Sequence, residues 1–399
     1  MMCNSSRIAR LVTVIAFAAS ISGCGGGSSK SSTSSSSSSS ANNTQAVIVN
    51  AGPAGIYANG LFTNVTVCAP GTSTCQSISG VLVDTGSYGL RVLASALIVP
   101  LSQQKDASGN SVGECAQFAD GITWGPVQLA DVKLAGEQAA SIPIQVIDPS
   151  FAAIPSSCSS HGSPEETLQA LGANGILGIG PFIEDCGLAC AGSNNSPGFY
   201  YGCAGSLCSV IAESAGNQVQ NPVAAFADSN GVIIDLPAVS GAAPTVNGSL
   251  IFGIGTQSDN ALSGAQVFTL DNFGNFTTTY KAKSYTAFLD SGSNAYFFLD
   301  SATTGMATCS NAAGFYCPSS PVDFSATTKG ANQARSTISF TVDNANTLFG
   351  NSGSTAFPTL AGPNPNTFDW GLPFFYGRKV YTAIQGKTTS GGTGPYWAY

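Results

Sequence analysis

Two stretches of this sequence place an aspartate directly after an apolar run and before a turn of small residues. The first is GVLVDTGSYGLRVL, in which Asp84 opens the motif Asp-Thr-Gly-Ser. The second is TAFLDSGSNAYFFLD, in which Asp290 opens Asp-Ser-Gly-Ser 206 residues later. Two carboxyl groups within hydrogen-bonding distance share one proton, because both cannot ionise at low cost. Such a pair activates a water molecule with one member and polarises a carbonyl group with the other.

The residues that follow each aspartate suit this chemistry. Glycine permits a tight turn and a close approach of two backbones. Hydroxyl groups donate hydrogen bonds that hold a carboxylate in one orientation. We therefore predict that Asp84 and Asp290 are catalytic. The predicted supporting residues are Thr85, Gly86, Ser87, Ser291, Gly292 and Ser293.

Other hydrolytic and ligand-binding chemistries fit the sequence less well. His161 is the only histidine, and it lies in a loop just before the predicted helix, where a histidine is usually solvated, which argues against a Ser-His-Asp triad. The two carboxylates of a glycosidase stand about 5 to 10 Å apart instead of sharing a proton. No lysine follows the glycines of GILGIG, so this segment is not a phosphate-binding loop. We expect no cofactor and no metal.

Composition and hydrophobic patterning indicate an almost all-β protein. Short β-branched and aromatic runs such as GVIIDLP and STISFTV alternate with clusters of Gly, Asn, Ser and Pro. The clearest helix signal is SPEETLQAL, with Ser163 as N-cap, Pro164 at the first helical position and Glu166 in a capping box. Charged residues make up only 9%, the net charge is −8, and no basic cluster is present, which argues against a nucleic-acid partner.

The first 23 residues are predicted to be a secretory signal. Arg7 and Arg10 precede a short apolar stretch, and the sequence ISGC follows at residues 21–24. This end resembles a bacterial lipobox, in which Cys24 becomes the lipidated first residue of the mature chain. Residues 24–45 are rich in Ser and Gly and are predicted to be a flexible tether. No aspartate follows Cys24, so the resemblance implies an outer-membrane location with the lipid as the only membrane contact.

Ten cysteines remain in the predicted mature chain, an even number that fits disulfide bonds in an exported protein. Two close pairs are predicted to close small loops: Cys68 with Cys75, and Cys309 with Cys317. Four further cysteines have a spacing that superficially suits a zinc site, but two disulfides fit an oxidising compartment better. These four are Cys186, Cys190, Cys203 and Cys208. Cys115 and Cys158 would then pair by elimination.

A second sequence feature also occurs once in each half. Each half continues to an apolar segment that contains a glycine: NGILGIGPF around Gly178 and FDWGLPFF around Gly371. With this order, residues 47–386 resemble the pepsin-like aspartic peptidases. The resemblance implies an all-β, bilobal double-barrel fold with little helix and an approximate twofold relation between its halves. We expect lobes at residues 46–235 and 236–399, each contributing one catalytic aspartate.

The resemblance also implies roles for the residues beside the aspartates. Thr85 and Ser291 would brace the two loops against each other. Ser87 and Ser293 would contact the aspartates directly. This arrangement would hold both carboxyl groups in the cleft between the lobes, where a peptide or protein substrate binds.

A flap hairpin over this cleft is a further expectation from the resemblance. The best match is FADGITWG, which places Phe118 where the family has a tyrosine and supplies Asp120 and Gly121 to the turn. Arg91 stands where the family has the tryptophan that partners this tyrosine. Both members of a hydrogen-bonded pair are therefore replaced together.

Two classes of function follow from the sequence. The first is an exported, monomeric aspartic endopeptidase. The alternative is a catalytically inactive pepsin-like domain that binds a peptide or a glycan at the cell envelope, or that serves only as a structural scaffold. The chain also resembles a group of bacterial lipoproteins without an assigned role, which does not separate these alternatives.

Overall fold

The computed structural model describes residues 43–192 and 197–399. The predicted signal, the predicted lipidation site Cys24 and most of the predicted tether lie outside these residues. The first strand begins at Thr44, two residues before the lobe boundary expected at residue 46.

The described residues form 25 strands and only short helices. In the first half the strands are β1 (Thr44–Asn50), β2 (Gly60–Cys68), β3 (Cys75–Asp84), β4 (Tyr88–Leu93), β5 (Ser102–Gln103), β6 (Ser111–Gln117), β7 (Ile122–Leu134), β8 (Glu137–Ile147), β9 (Gly175–Ile179), β10 (Tyr200–Ala204) and β11 (Leu207–Val210).

The second half contains the remaining strands. These are β12 (Gly231–Leu236), β13 (Val246–Phe252), β14 (Val267–Thr269), β15 (Phe276–Tyr280), β16 (Lys283–Leu289), β17 (Tyr296–Leu299), β18 (Val322–Lys329), β19 (Arg335–Val342), β20 (Ala361–Gly362), β21 (Asn364–Trp370), β22 (Arg378–Ala383), β23 (Thr388–Thr389), β24 (Gly392–Thr393) and β25 (Tyr396–Ala398). The α-helices are α1 (Ser156–Ser159), α2 (Leu168–Leu171), α3 (Leu188–Ala191), α4 (Ser301–Thr304) and α5 (Ala345–Phe349).

The strands pair into two lobes joined by a central sheet. In the first lobe the order β2-β3-β9-β4-β8-β7 closes into a barrel, because β7 also pairs with β2. The second lobe is a seven-stranded sheet with the order β19-β18-β15-β16-β21-β17-β20. Between the lobes, β1, β13, β12, β22, β25 and β14 pair in that order. This is the bilobal, nearly all-β architecture expected from the sequence.

Strand β3 carries the first aspartate into the interior, because its burial pattern changes along its length. Its first half alternates exposed and buried residues, whereas Val81 to Asp84 are all buried. Gly80, with φ of +66°, stands where the pairing with β2 shifts register, so it absorbs the irregularity. Beyond this point both faces of the strand are covered by protein, which explains the continuous apolar run.

The two lobes fill their cores with different side chains. The first packs mainly aliphatic residues, such as Val65, Val83 and Leu90. The second packs an aromatic cluster in which the Phe298 ring lies 5.0 to 5.9 Å from four other rings. These four are Tyr316, Phe324, Phe340 and Phe368.

Five disulfides link the ten cysteines within the described residues. The predicted pairs Cys68–Cys75 and Cys309–Cys317 are confirmed. The four cysteines with zinc-like spacing form two disulfides, Cys186–Cys190 and Cys203–Cys208. Cys115 pairs with Cys158, which joins β6 to α1.

The predicted start of the helix at SPEETLQAL is wrong, because the helix begins later in the chain. Helix α2 covers only Leu168–Leu171, and Thr167 caps it by accepting from the Ala170 N–H. The preceding residues are extended instead, because Ser163 O accepts from the Ile122 N–H and the Glu165 N–H donates to Ile122 O. Pairing with β7 therefore satisfies the backbone groups that a capping box would have served.

No helix within residues 43–192 and 197–399 is long and apolar enough to cross a membrane.

Candidate active site

The first aspartate loop leaves the barrel at the end of β3. The Asp84 carboxyl is fully buried. It accepts hydrogen bonds from the Gly86 N–H to Oδ1 (2.8 Å) and from the Ser87 hydroxyl to Oδ2 (2.6 Å). Strand β9 runs parallel to β3 and places Gly178 opposite Asp84. A Cβ at Gly178 would lie 2.5 Å from the Tyr88 nitrogen, so the loop packs directly on this glycine.

The second aspartate loop repeats this arrangement after β16. Asp290 is also fully buried, and its Oδ1 accepts from the Gly292 N–H (2.8 Å). Its Oδ2 accepts from the Ser293 hydroxyl (2.9 Å). Strand β21 runs parallel to β16 and leads into Gly371, where a Cβ would lie 2.0 Å from Ala295 O. Each half therefore has one glycine, Gly178 or Gly371, whose lack of a side chain lets the aspartate loop pack directly against it.

The two loops are joined to each other by reciprocal hydrogen bonds. The Thr85 N–H donates to the Ser291 hydroxyl (3.1 Å), and the Ser291 N–H donates to the Thr85 hydroxyl (2.9 Å). Each hydroxyl in turn donates to the opposite strand: Thr85 to Leu289 O (3.0 Å) and Ser291 to Val83 O (2.9 Å). The four bonds follow an approximate twofold and fix the separation of the loops.

The two carboxyl groups face each other across this brace. A Cβ on Gly86 would lie 2.6 Å from the carboxyl carbon of Asp290. A Cβ on Gly292 would lie 2.6 Å from Asp84 Oδ1 and 3.1 Å from Asp290 Oδ1. Both Oδ1 atoms therefore approach the same point, and any side chain on either glycine would collide with the carboxyl of the other half. The structure brings together every residue predicted from the two motifs.

The predicted flap is a hairpin of β6 and β7 with its turn at residues 118–121. The Phe118 N–H donates to Gly121 O (2.8 Å) and closes the turn, while Asp120 is half-buried in it. The Phe118 ring is 6% exposed and packs among apolar residues that include Leu82 and Ile176. The space enclosed near Ser87 and Phe118 is about 10 Å³, which is room for about one water molecule. The flap is therefore closed over the first aspartate loop.

Arg91 occupies the position beneath this flap. Its guanidinium lies 5.8 Å from the centre of the Phe118 ring, a distance suited to a cation–π contact. It also forms buried ion pairs with Glu114 of β6 (2.5 Å) and with Asp185 after β9 (2.9 Å). Arg91 therefore links the predicted flap to the segment after β9.

The charges of this cluster shift one another's protonation. Burial alone would lower the pKa of the Arg91 guanidinium, but the carboxylates of Glu114 and Asp185 outweigh it and raise the pKa. Burial, followed by the charge of Glu114, raises the pKa of Asp185 well above its usual range. Burial and the same carboxyls raise the pKa of Tyr200, so its hydroxyl stays protonated and donates to Asp185 Oδ1 (2.6 Å).

A cavity of about 570 Å³ lies beside the paired loops, between the two lobes. The first aspartate loop contributes Gly86 and Tyr88 to its wall. Phe182 and Asp185 from the first lobe and Phe288 from the second complete an aromatic surface with an acidic edge.

One acidic residue beside the second loop was not predicted from the sequence. Asp369 of β21 is fully buried and accepts a hydrogen bond from the Ser293 hydroxyl (2.7 Å), the same hydroxyl that contacts Asp290. The available signal was an acid inside the otherwise apolar segment FDWGLPFF, whose counterpart GILGIG in the first half has none. His161, in contrast, is exposed and outside the site.

Comparison with known proteins agrees with this architecture. The sequence matches the model of a family described as "Protein of unknown function (DUF3443)" over residues 39–399. The crystal structure of an aspartic proteinase from Irpex lacteus is similar, with a TM-score of 0.53 and 16% sequence identity over 89% of this chain and 96% of that chain. Such a likeness shows the fold alone, and it confirms the pepsin-like bilobal fold. No curated protein matches the chain.

Proposed function

The chain belongs to the family described as "Protein of unknown function (DUF3443)", and we propose that it is a pepsin-like aspartic endopeptidase. The observation that carries this proposal is the facing pair of buried carboxyls, Asp84 and Asp290, held by reciprocal hydrogen bonds between their loops. A structural turn of the Asp-Ser-Gly type needs neither a partner aspartate nor a brace across two lobes.

The hydrolysis would proceed without a metal or a covalent intermediate. The aspartates share one proton, and the ionised member removes a proton from the attacking water. The protonated member donates to the carbonyl oxygen of the scissile bond as the tetrahedral carbon forms. The Ser87 and Ser293 hydroxyls and the Gly86 and Gly292 N–H groups keep both carboxyls in orientation during this exchange.

Substrate entry requires movement of the flap. The 10 Å³ space near Phe118 and Ser87 is too small for a peptide, whereas the 570 Å³ cavity beside Gly86 is large enough for side chains. We propose that the β6–β7 hairpin lifts as an extended peptide or protein segment binds between the lobes, and that it closes again to exclude bulk water.

The setting of the reaction is part of the proposal. The lipobox-like end with Cys24 and the five disulfides support an exported lipoprotein in an oxidising compartment. We propose that a monomer is anchored by lipid at the outer membrane. Metabolic labelling with a radioactive fatty acid should mark the wild-type protein and leave the Cys24→Ser variant unlabelled.

Cleavage is tested with the mature protein and a broad peptide library between about pH 3 and pH 8, in wild type and in Asp84→Asn. We expect cleavage by the wild type, inhibition by a pepstatin-type statine peptide, and no cleavage by the variant. Identical behaviour of both folded proteins would contradict the enzyme proposal.

A second candidate is a non-catalytic receptor for a peptide or glycan. The closed flap favours it. Phe118 and Arg91 stand where the pepsin-like peptidases have a hydrogen-bonding pair, and here an apolar ring and a cation close the space beneath the flap. In this case a library peptide or an envelope glycan should bind to wild type and Asp84→Asn alike and remain intact.

A further inference from the structure

Ser293 joins two buried carboxyl groups. Its hydroxyl lies 2.9 Å from Asp290 Oδ2 and 2.7 Å from Asp369 Oδ2. All three residues are fully buried. The equivalent serine of the first half, Ser87, contacts Asp84 at 2.6 Å, and the residue that corresponds to Asp369 there is the apolar Ile176. The second aspartate therefore has an acidic neighbour that the first lacks.

Counting protons shows that the three groups are coupled. A serine hydroxyl has one hydrogen and can donate it to only one carboxylate at a time. The other short contact then requires a proton on its carboxyl group, which donates to the Ser293 oxygen. The chain Asp290–Ser293–Asp369 therefore holds one carboxyl proton besides the hydroxyl hydrogen, and the position of one proton decides the position of the other.

We propose that Asp369 is a positioning residue of the aspartate pair and that, through Ser293, it determines whether Asp290 or Asp84 holds the shared proton. The inference rests on the proposed function. When Asp369 is protonated it donates to Ser293, the hydroxyl donates to Asp290, and ionised Asp290 is favoured. When Asp369 is ionised it accepts the hydroxyl proton instead. Asp290 then loses a donor, faces a second negative charge and keeps the proton, so Asp84 is the base.

The variant Asp369→Asn separates these states. Its amide donates permanently to the Ser293 oxygen and cannot ionise, so Asp290 always receives the hydroxyl proton. We expect the basic limb of the pH profile of kcat/KM to move to lower pH by about one unit. Ser293→Ala removes the donor to Asp290 and should move the same limb in the opposite direction. A merely structural role for Asp369 predicts lower activity or stability without opposite shifts.

A second readout does not depend on catalysis. The carboxyl carbons of ¹³C-labelled aspartate are followed by NMR during a pH titration of the mature protein. The Asp290 signal should titrate at lower pH in Asp369→Asn and at higher pH in Ser293→Ala. Asp235→Asn, which removes a partly exposed carboxyl paired with Lys379, is the control and should leave the Asp290 signal unchanged. A protein that cleaves no peptide but shows these shifts would refute the proposed function and retain the coupling.

The proposal is overturned if Asp369→Asn leaves the Asp290 titration where it is in the wild type. It is also overturned if Asp369→Asn causes the same shift in a Ser293→Ala background, because the coupling would then not pass through Ser293. Should Asp369→Asn fail to fold, Ser293→Ala alone decides, since an unchanged or lowered Asp290 titration in that variant contradicts the proposed coupling.

Discussion

The two halves of the molecule share strand topology but differ in their charged residues. The same cross-strand pair occurs in both halves, and its charged residue is on one strand in the first half and on the other strand in the second. Seven residues after the first aspartate, Arg91 lies opposite Ile176. Seven residues after the second, Phe297 lies opposite Asp369. The first half therefore directs a cation to the flap, and the second directs an acid to its own aspartate loop. An approximate twofold in the backbone thus leaves side-chain chemistry free to diverge, because register fixes the position of a residue and not its type.

The surroundings of these pairs differ in the same way. Arg91 lies in a buried ion cluster with Glu114 and Asp185 beside the cleft. Phe297 lies in an apolar cluster with residues such as Phe315 and Phe357. Stability of the first half near its aspartate should therefore depend on charge and pH, whereas that of the second should depend on packing.

The largest expected effect concerns the part of the site that is symmetric. Asp84→Asn and Asp290→Asn should each reduce peptide cleavage by at least about 10³-fold, and the double variant should lose little more, because the two carboxyls act as one unit. Single-turnover rates measure this loss, and circular dichroism checks that the fold is intact. Unequal losses by a factor of about 100 would show that the halves contribute separately.

Removing the cation of the first half should cause the next largest effect. Arg91→Met leaves the Glu114 carboxylate buried without its counter-charge and removes the donor to Asp185, which should lower the free energy of unfolding by about 3–5 kcal/mol. Urea unfolding measures the change. Lys379→Met, which breaks an exposed pair with Asp235 (3.3 Å), is the matched control and should cost less than about 1 kcal/mol. Equal effects of both variants would refute a distinct role for the buried cluster.

The aromatic packing of the second half should respond more moderately. Phe298→Leu keeps an apolar side chain but removes ring contacts with neighbours such as Phe324 and Phe368. We expect a loss of about 1–2 kcal/mol in the free energy of unfolding. The loss should be the same at pH 5 and pH 8, since no titratable group is removed. A strongly pH-dependent loss would contradict the assignment of charge dependence to the first half.

The smallest expected effect is the pH dependence that Asp185 confers. Burial and the charge of Glu114 raise its pKa in the folded protein. The stability that its proton contributes is therefore fully present below the unfolded pKa of about 4 and is lost as pH rises through the raised folded value. Asp185→Asn cannot ionise and should flatten this decline. Melting temperatures between pH 4 and pH 8 measure the slope, and an unchanged slope in the variant would contradict it.

The fold was predictable because its signals are local or repeated. The two Asp-x-Gly-Ser motifs, each with a glycine-containing strand downstream, indicated the symmetric architecture, and their resemblance to the pepsin-like peptidases implied the residues of the brace. The start of the helix at SPEETLQAL was wrong because the extended pairing of Ser163 and Glu165 with Ile122 depends on a strand that lies about 40 residues earlier in the chain.

The amino-acid sequence by itself determined the positions of the paired aspartates, their glycines and hydroxyls, and the two disulfides Cys68–Cys75 and Cys309–Cys317, since each depends on residue type and short spacing. Only the tertiary structure decided that Arg91 lies against the Phe118 ring, that Glu114 and Asp185 both contact Arg91, and that Asp369 accepts a hydrogen bond from Ser293. The physical reason is that these contacts depend on strand register and on the facing of loops distant in the chain. Burial then gives the charges their effect, because a low-dielectric interior strengthens every interaction among them.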